Sequence, residues 1–421
     1  MPVPAAPRPL PDLVRDGRAA VQDALSRSAA AEAWEALLER DQDGNAKGAL
    51  AYTDTAIRLF EAAHQKDPDD IGVVHHLAIA RHARAWDLEL LGDPRAAQEW
   101  EEALARWRQV AAAPAFWDAL RAKLHAVDPS CDAALLAAVR RDLLFDLLEV
   151  HVDFVRHYCE AGTPERAASH VEIVRRARIP PAAKKKLVDR VYDAMTAGVP
   201  EARASSEHES ALTTLERFLE LFPDHLPALR QHAEVSGEWV RGTSYERWDE
   251  IRALSARAEP HARRLAQHPQ LAEDPLARVA LQDLCAELAL KGRDRGTAFA
   301  PKSEDEPLPP HRRDAGRAGF EFGLDWARLG SPGSPRESRV RVLFGICAQG
   351  LTFSLHHEAL ENLGASDLDQ RLRFRTARRL YERAQALLEE ARRVEPEEAE
   401  HDNALRVVQN VIDQIERLGL R

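Results

Sequence analysis

Two stretches set histidines and carboxylates at helical spacing. In the first, His75, His76 and His82 precede Asp87 and Glu89. His75, His82 and Glu89 recur at seven-residue intervals and so lie along one helical face. Successive members are two turns apart, about 10 Å, which is too far for a shared ion. Histidines packed or hydrogen-bonded between helices is the favoured reading. The second stretch is HHEALE, with His356, His357, Glu358 and Glu361. His357 and Glu361 stand at i,i+4 and could share an ion if another helix supplied further ligands. Glu361 replaces the second histidine of H-E-x-x-H, so the zinc-protease pattern is not met. No phosphate-binding loop, dinucleotide fingerprint or nucleophile elbow occurs. The sequence therefore assigns no catalytic residue, no cofactor and no metal ligand.

Binding chemistry is the other possibility. Arg371, Arg375, Arg378 and Arg379 share one side of a helix and could receive an acidic peptide. A second basic cluster, RRARIPPAAKKK, places Arg175, Arg176 and Arg178 before Lys184, Lys185 and Lys186 around a turn. The plainer reading of both is a solvated face balanced by neighbouring carboxylates. Trp239 and Trp248 flank the polar segment VRGTSYER and could anchor a partner, although core packing is the favoured reading.

The elements that must hold these residues are helices. Ala, Leu, Glu and Arg dominate, and no alternating strand of five residues is evident. Helix starts recur as a capping side chain followed by proline, at Asp93-Pro94, Asp128-Pro129, Thr163-Pro164 and Asp274-Pro275. The cap accepts an orphan N–H, and proline has none to leave unpaired. Short breaks between such starts mean helix hairpins. A first helix is expected from Asp12 and a second over 29–40. The segment 128–160 reads as one long helix or as two joined near Asp142. Gly292 to Ala315, polar and rich in Gly and Pro, reads as a linker or mobile loop. The last helix presents Leu405, Val408, Ile412, Ile415 and Leu418 as a cap, with Val407 and Val411 flanking that stripe.

Spacing is the most specific signal. Ala49, Thr53, Ala56, Phe60, Ala63 and Pro68 fall at offsets repeated by Ala377, Tyr381, Ala384, Leu388, Ala391 and Pro396. Ala96, Trp100, Ala103, Trp107 and Pro114 nearly repeat them. Ala211, Leu215, Phe218 and Pro223 give a shorter version, and Ala167, Val171, Val174 and Pro180 a looser one. Small residues let helices approach while large ones fill the groove between them. The chain resembles a tetratricopeptide-repeat-like α-solenoid with elongated, degenerate repeats. The full signature of that repeat is absent, and so are the Lys and Asn pattern that grips chaperone C-termini.

The expected architecture is all-α, a right-handed solenoid of antiparallel helix hairpins. Its parts are a flexible Pro-rich arm over 1–11, repeats over 12–198 and 199–292, a loop over 293–315, and repeats with a capping helix over 316–421. The resemblance implies a non-catalytic scaffold or adaptor that binds a protein or peptide partner, an acidic one where the arginine clusters serve. The alternative is an all-helical metal-binding protein or enzyme using His75 and His82, or His356, His357 and Glu361. A net charge of −11 argues against nucleic acid. No apolar run long enough for a membrane span and no signal-peptide core occurs, and the four cysteines, Cys131, Cys159, Cys285 and Cys347, are scattered. A cytoplasmic setting with reduced thiols is expected.

Overall fold

A computed structural model gives the fold. It describes residues 46–113, 133–300, 309–335, 338–364, 370–396 and 398–417, with isolated positions before and between them. The expected arm, the helix starts at Asp12 and Asp128, Trp117, Cys131 and Leu418 lie outside the described residues.

All the regular structure among the described residues is helical. The chain divides into two compact units, 1–195 and 196–421. The first contains α1 (Ala46–Lys66), α2 (Ile71–Leu90), α3 (Ala96–Ala112), α4 (Ala133–Glu160), α5 (Pro164–Arg176) and α6 (Pro181–Thr196). The second contains α7 (Val199–Ala204), α8 (His208–Leu221), α9 (Leu226–Gly242), α10 (Trp248–Gln267), α11 (Pro275–Phe299), α12 (Pro310–Gly330), α13 (Arg339–Gly364), α14 (Gln370–Val394) and α15 (Ala399–Arg417). The helix α4 runs unbroken through Asp142.

Local sequence sets the helix ends. Asp70 caps α2 by accepting from the Gly72 and Val73 N–H groups, and Asp274 caps α11 by accepting from Ala277 at 2.9 Å. Thr163 precedes α5 as expected, but its hydroxyl donates to the Tyr158 carbonyl at 3.2 Å. Asp93 bonds the Arg95 N–H, and α3 begins only at Ala96. Gly92 and Gly162 close α2 and α4 with positive φ of 66° and 70°. After them the N–H groups of Asp93 and Thr163 reach back to the Leu88 and Tyr158 carbonyls. This closure needs a left-handed residue, which glycine supplies without a Cβ penalty.

The spacing rule is the packing rule. Ala49, Thr53, Ala56, Phe60 and Ala63 are all buried, as are Ala96, Trp100, Ala103 and Trp107. So are Ala377, Tyr381, Ala384, Leu388 and Ala391, and the helical members of the shorter sets, Ala211, Leu215 and Phe218, and Ala167, Val171 and Val174. In the first unit α1 packs on α2, α2 on α3 and α4 on α5. Trp100 is fully enclosed there, with the rings of His82, Trp86 and Phe154 at 5.1, 5.6 and 5.4 Å. In the second unit each of α9, α11 and α13 packs on the helix that follows it, and α9 packs on α11 and α11 on α13. Val408, Ile412 and Ile415 of α15 are buried, whereas Val407 is exposed.

Of the expected loop between Gly292 and Ala315, residues 301–308 lie outside the described residues, and the described flanks are mostly helix. Helix α11 continues through Phe299 and α12 begins at Pro310. The glycines that suggested a linker are contact residues. A Cβ added at Gly292 would lie 2.5 Å from the Gly323 nitrogen, and one at Gly319 would lie 2.6 Å from the Gly296 nitrogen. The two backbones touch there, and only glycine leaves room for that approach.

Candidate functional site

The sequence-chosen arginines are mostly engaged. Arg175 pairs with Glu172 at 2.5 and 2.7 Å, and Arg176 pairs with the same carboxylate. Both remain exposed, so these bonds add little stability. Arg378 pairs with Glu382 at 2.8 Å and with Glu416 at 2.9 Å. Arg375 and Arg379 are exposed, and no ion pair engages them among the described residues. The side chain of Arg371 lies outside the described residues. Trp239 and Trp248 are half-buried and already have partners. Trp248 meets Phe322 edge-on at 5.0 Å with the Arg295 guanidinium 5.2 Å above its ring, and Trp239 lies 6.1 Å from the His208 ring.

The two histidine stretches gather no common ligand position. His75 packs edge-on against Trp107 at 5.1 Å, and burial, with the neighbouring His76, pushes its pKa down to about 3. His82 bonds Asp153 at 3.0 Å, a carboxylate that also takes Arg190 at 3.1 Å. Glu89 accepts from the Trp100 indole at 3.1 Å and meets His157 at 2.9 Å. Thus His75, His82 and Glu89 each face a different neighbour. In the second stretch, His356 meets the Tyr381 hydroxyl at 2.7 Å and Glu361 is drawn outward to Arg313. His357 is buried against Phe353 with rings 4.7 Å apart. The i,i+4 pair of His357 and Glu361 therefore points to two different environments.

Burial also governs the described thiols. Cys159, Cys285 and Cys347 are free. Burial raises all three, Cys159 to about 11 and Cys347 to about 12. Little thiolate is available from any of them near neutrality.

What the sequence did not bring together, tertiary packing does. In the first unit His151 of α4 and His170 of α5 face each other through their Nδ1 atoms at 2.9 Å. Phe154 stacks on His170, with centroids 4.6 Å apart. Burial, then the positive charge of the partner ring, lowers His151 to about 4. Burial also lowers His170 to about 4, against the opposing pull of Glu101. An unfolded histidine titrates near 6.5, so the unfolded chain takes up protons first as pH falls. Stability contributed by this pair is complete above roughly pH 6.5 and is lost down to about pH 4, by up to about 1.4 kcal/mol per pH unit for each ring. Urea unfolding between pH 7.5 and 4.5 checks this. The slope should shrink in His170→Gln, and an unchanged slope in that variant would contradict the assignment.

In the second unit a cleft of about 540 Å³ opens between α10 and α12. Trp326 and Phe322 supply aromatic surface, while Glu259, Arg263, Asp325 and Arg328 supply charges of both signs. Trp326 donates from its indole N–H to Ser255 at 2.9 Å, which fixes the ring against the cleft floor. Arg328 is held by Glu390 at 2.7 and 2.9 Å and by Asp325 at 2.9 Å.

The same unit also assembles a carboxylate and two imidazoles. Glu216 of α8, His232 of α9 and His261 of α10 offer ligand atoms that all lie within 4.8 Å of one another. His232 Nε2 stands 3.4 Å from Glu216 Oε1, and the rings of His232 and His261 are 4.3 Å apart. Arg257 donates to both Glu216 oxygens, at 2.5 and 2.9 Å. Burial would raise the Glu216 pKa, but the bonds from His232 and Arg257 overcome it and bring the carboxyl to about 2. Burial and the His232 charge lower His261 to about 4. At neutral pH Glu216 is ionised and His261 is neutral. None of these three appears among the sequence-chosen residues, because they come from three helices and share no local spacing. No family model matches the chain and no curated protein matches it, so the arrangement of its own helices and side chains carries the functional reading.

Proposed function

We propose that this protein is a non-catalytic, tetratricopeptide-repeat-like scaffold that binds a partner peptide in the cleft between α10 and α12. The observation that carries this reading is the packing order of the second unit. The helices α9, α11 and α13 form one continuous row, and each is followed by a helix packed on it. Such an order supports a solenoid of hairpins, in which each hairpin leaves an apolar stripe for its neighbour to cover. The following helices α10 and α12 lie farther apart, and the space between them is the cleft.

The cleft lining suits an extended segment with an apolar anchor. Phe322 and the edge of the buried Trp326 line the cleft with aromatic groups, and Glu259, Arg263, Asp325 and Arg328 add charges to fix polar flanks. Arg375 and Arg379 add an exposed positive face on α14 for an acidic stretch of the same partner.

Photo-crosslinking tests the reading. A benzophenone amino acid placed at Glu259 or Asp325 should capture one defined protein from extract of the native host, and the captured site should map to one short segment. A synthetic peptide of that segment should then compete. Capture only from positions remote from the cleft, or no competition by the peptide, would overturn the assignment of the binding face.

A further inference from the structure

We propose that Glu216, His232 and His261 form a binding site for one divalent transition-metal ion of the zinc class, with the fourth coordination position open to solvent.

The donor set and its spacing carry this. Imidazole nitrogen and carboxylate oxygen are the usual ligands of such ions, and three protein ligands with one open position is an established arrangement for zinc. A tetrahedral ion with bonds of about 2.0–2.1 Å separates its ligand atoms by about 3.3–3.4 Å. The 3.4 Å between His232 Nε2 and Glu216 Oε1 matches one edge of that tetrahedron. The remaining ligand atom, on His261, lies within 4.8 Å of both. Closing that distance to a tetrahedral edge requires the part-exposed His261 side chain to rotate toward the other two ligands.

The surroundings prepare the ligands. The other ring nitrogen of His232, Nδ1, lies 3.4 Å from the Ser236 hydroxyl. An Nδ1–H directed at that oxygen leaves the Nε2 lone pair facing the cluster, which is how metal-bound histidines are usually oriented. His261 Nδ1 is buried and has no hydrogen-bond partner among the described residues. A buried ring nitrogen left unpaired costs free energy, and a ligand bond from the imidazole would be one reason to keep it. Pro260, just before it, cannot donate the helical bond to the Ala256 carbonyl.

Two cations oppose an ion here. Arg257 holds both oxygens of Glu216, and Arg264 lies near His261. Glu209 takes part of the Arg257 charge, at 2.9 Å to each oxygen, and Thr213 accepts from it at 3.1 Å. Each Glu216 oxygen has a second lone pair, so Arg257 can keep its grip and orient the carboxylate while Oε1 turns its free lone pair to the metal.

Cobalt(II) is the probe, because its visible bands report coordination directly. Metal-free full-length protein without an affinity tag should take up one Co2+ per chain and develop absorption of four-coordinate intensity. Zn2+ should displace it and raise the melting temperature. His261→Gln and Glu216→Gln should each weaken Co2+ binding at least tenfold. His261 and Glu216 are both part-exposed, so these variants should keep the wild-type circular dichroism without metal. Wild-type protein with no saturable uptake would overturn the proposal, and so would uptake that survives both substitutions. Neither result bears on the α10–α12 cleft, whose cross-linking test uses other residues.

Discussion

Gly319→Ala lowers the stability of the second unit, although alanine is the better helix former. Gly319 lies inside α12, so propensity by itself would favour alanine by roughly 0.8–1.0 kcal/mol. Packing opposes this. The new Cβ would stand 2.6 Å from the Gly296 nitrogen and 2.9 Å from the Gly292 carbonyl oxygen. Both are backbone atoms of α11, so no side-chain rotation relieves the overlap and the two helices must separate. Overpacking of this kind costs about 1–3 kcal/mol or more. Separation also strips contacts from Phe320, Cys347 and the other buried side chains around the crossing. Gly292→Ala should act in the same direction, since its Cβ would meet Gly323 backbone at 2.5 and 2.6 Å. Gly242→Ala, at the end of α9 with open space around it, should change little. Urea unfolding of the three variants checks the sign, and a stabilised Gly319→Ala protein would mean that the helices do not cross at the glycines.

Trp100→Ala should destabilise the first unit by about 3–5 kcal/mol, the range for deleting a fully enclosed large aromatic. The indole touches the rings of His82, Trp86, Phe154 and His157, which come from α2 and α4 while Trp100 belongs to α3. One substitution therefore opens a cavity where three helices meet. The loss also takes a hydrogen bond from Glu89, which would keep only His157 among these partners. Trp100→Phe should recover most of the stability, because it refills the cavity and forfeits chiefly the indole N–H. Chemical denaturation followed by circular dichroism measures both. A cost near 1 kcal/mol for the alanine variant would show that neighbouring rings collapse into the space.

The fate of particular residues shows what could be read in advance. Ala49, Phe60, Ala96, Trp100, Ala377 and Tyr381 were legible as core because burial on one side of a helix imposes a period on the sequence itself. The separate fates of His75, His82 and Glu89 followed from the same geometry, since two turns of helix set too great a distance. Gly292 and Gly296 look like loop residues in the sequence for a local reason. Glycine beside Pro, Asp and Arg has a loop-like composition, and nothing within the segment reveals that another backbone lies against it. Trp248 was ambiguous likewise, because its partners Phe322 and Arg295 come from α12 and α11.

By itself, then, the sequence determined the helical class, the ends of several helices and the buried face of several of them. These rest on interactions within one turn or along one face. Only the tertiary structure decided which helices touch through glycine, where the cleft opens, and that Glu216, His232 and His261 converge. Those facts depend on the relative placement of separate helices. That placement is set by the sum of many weak contacts across them, and it leaves no fixed spacing in the chain.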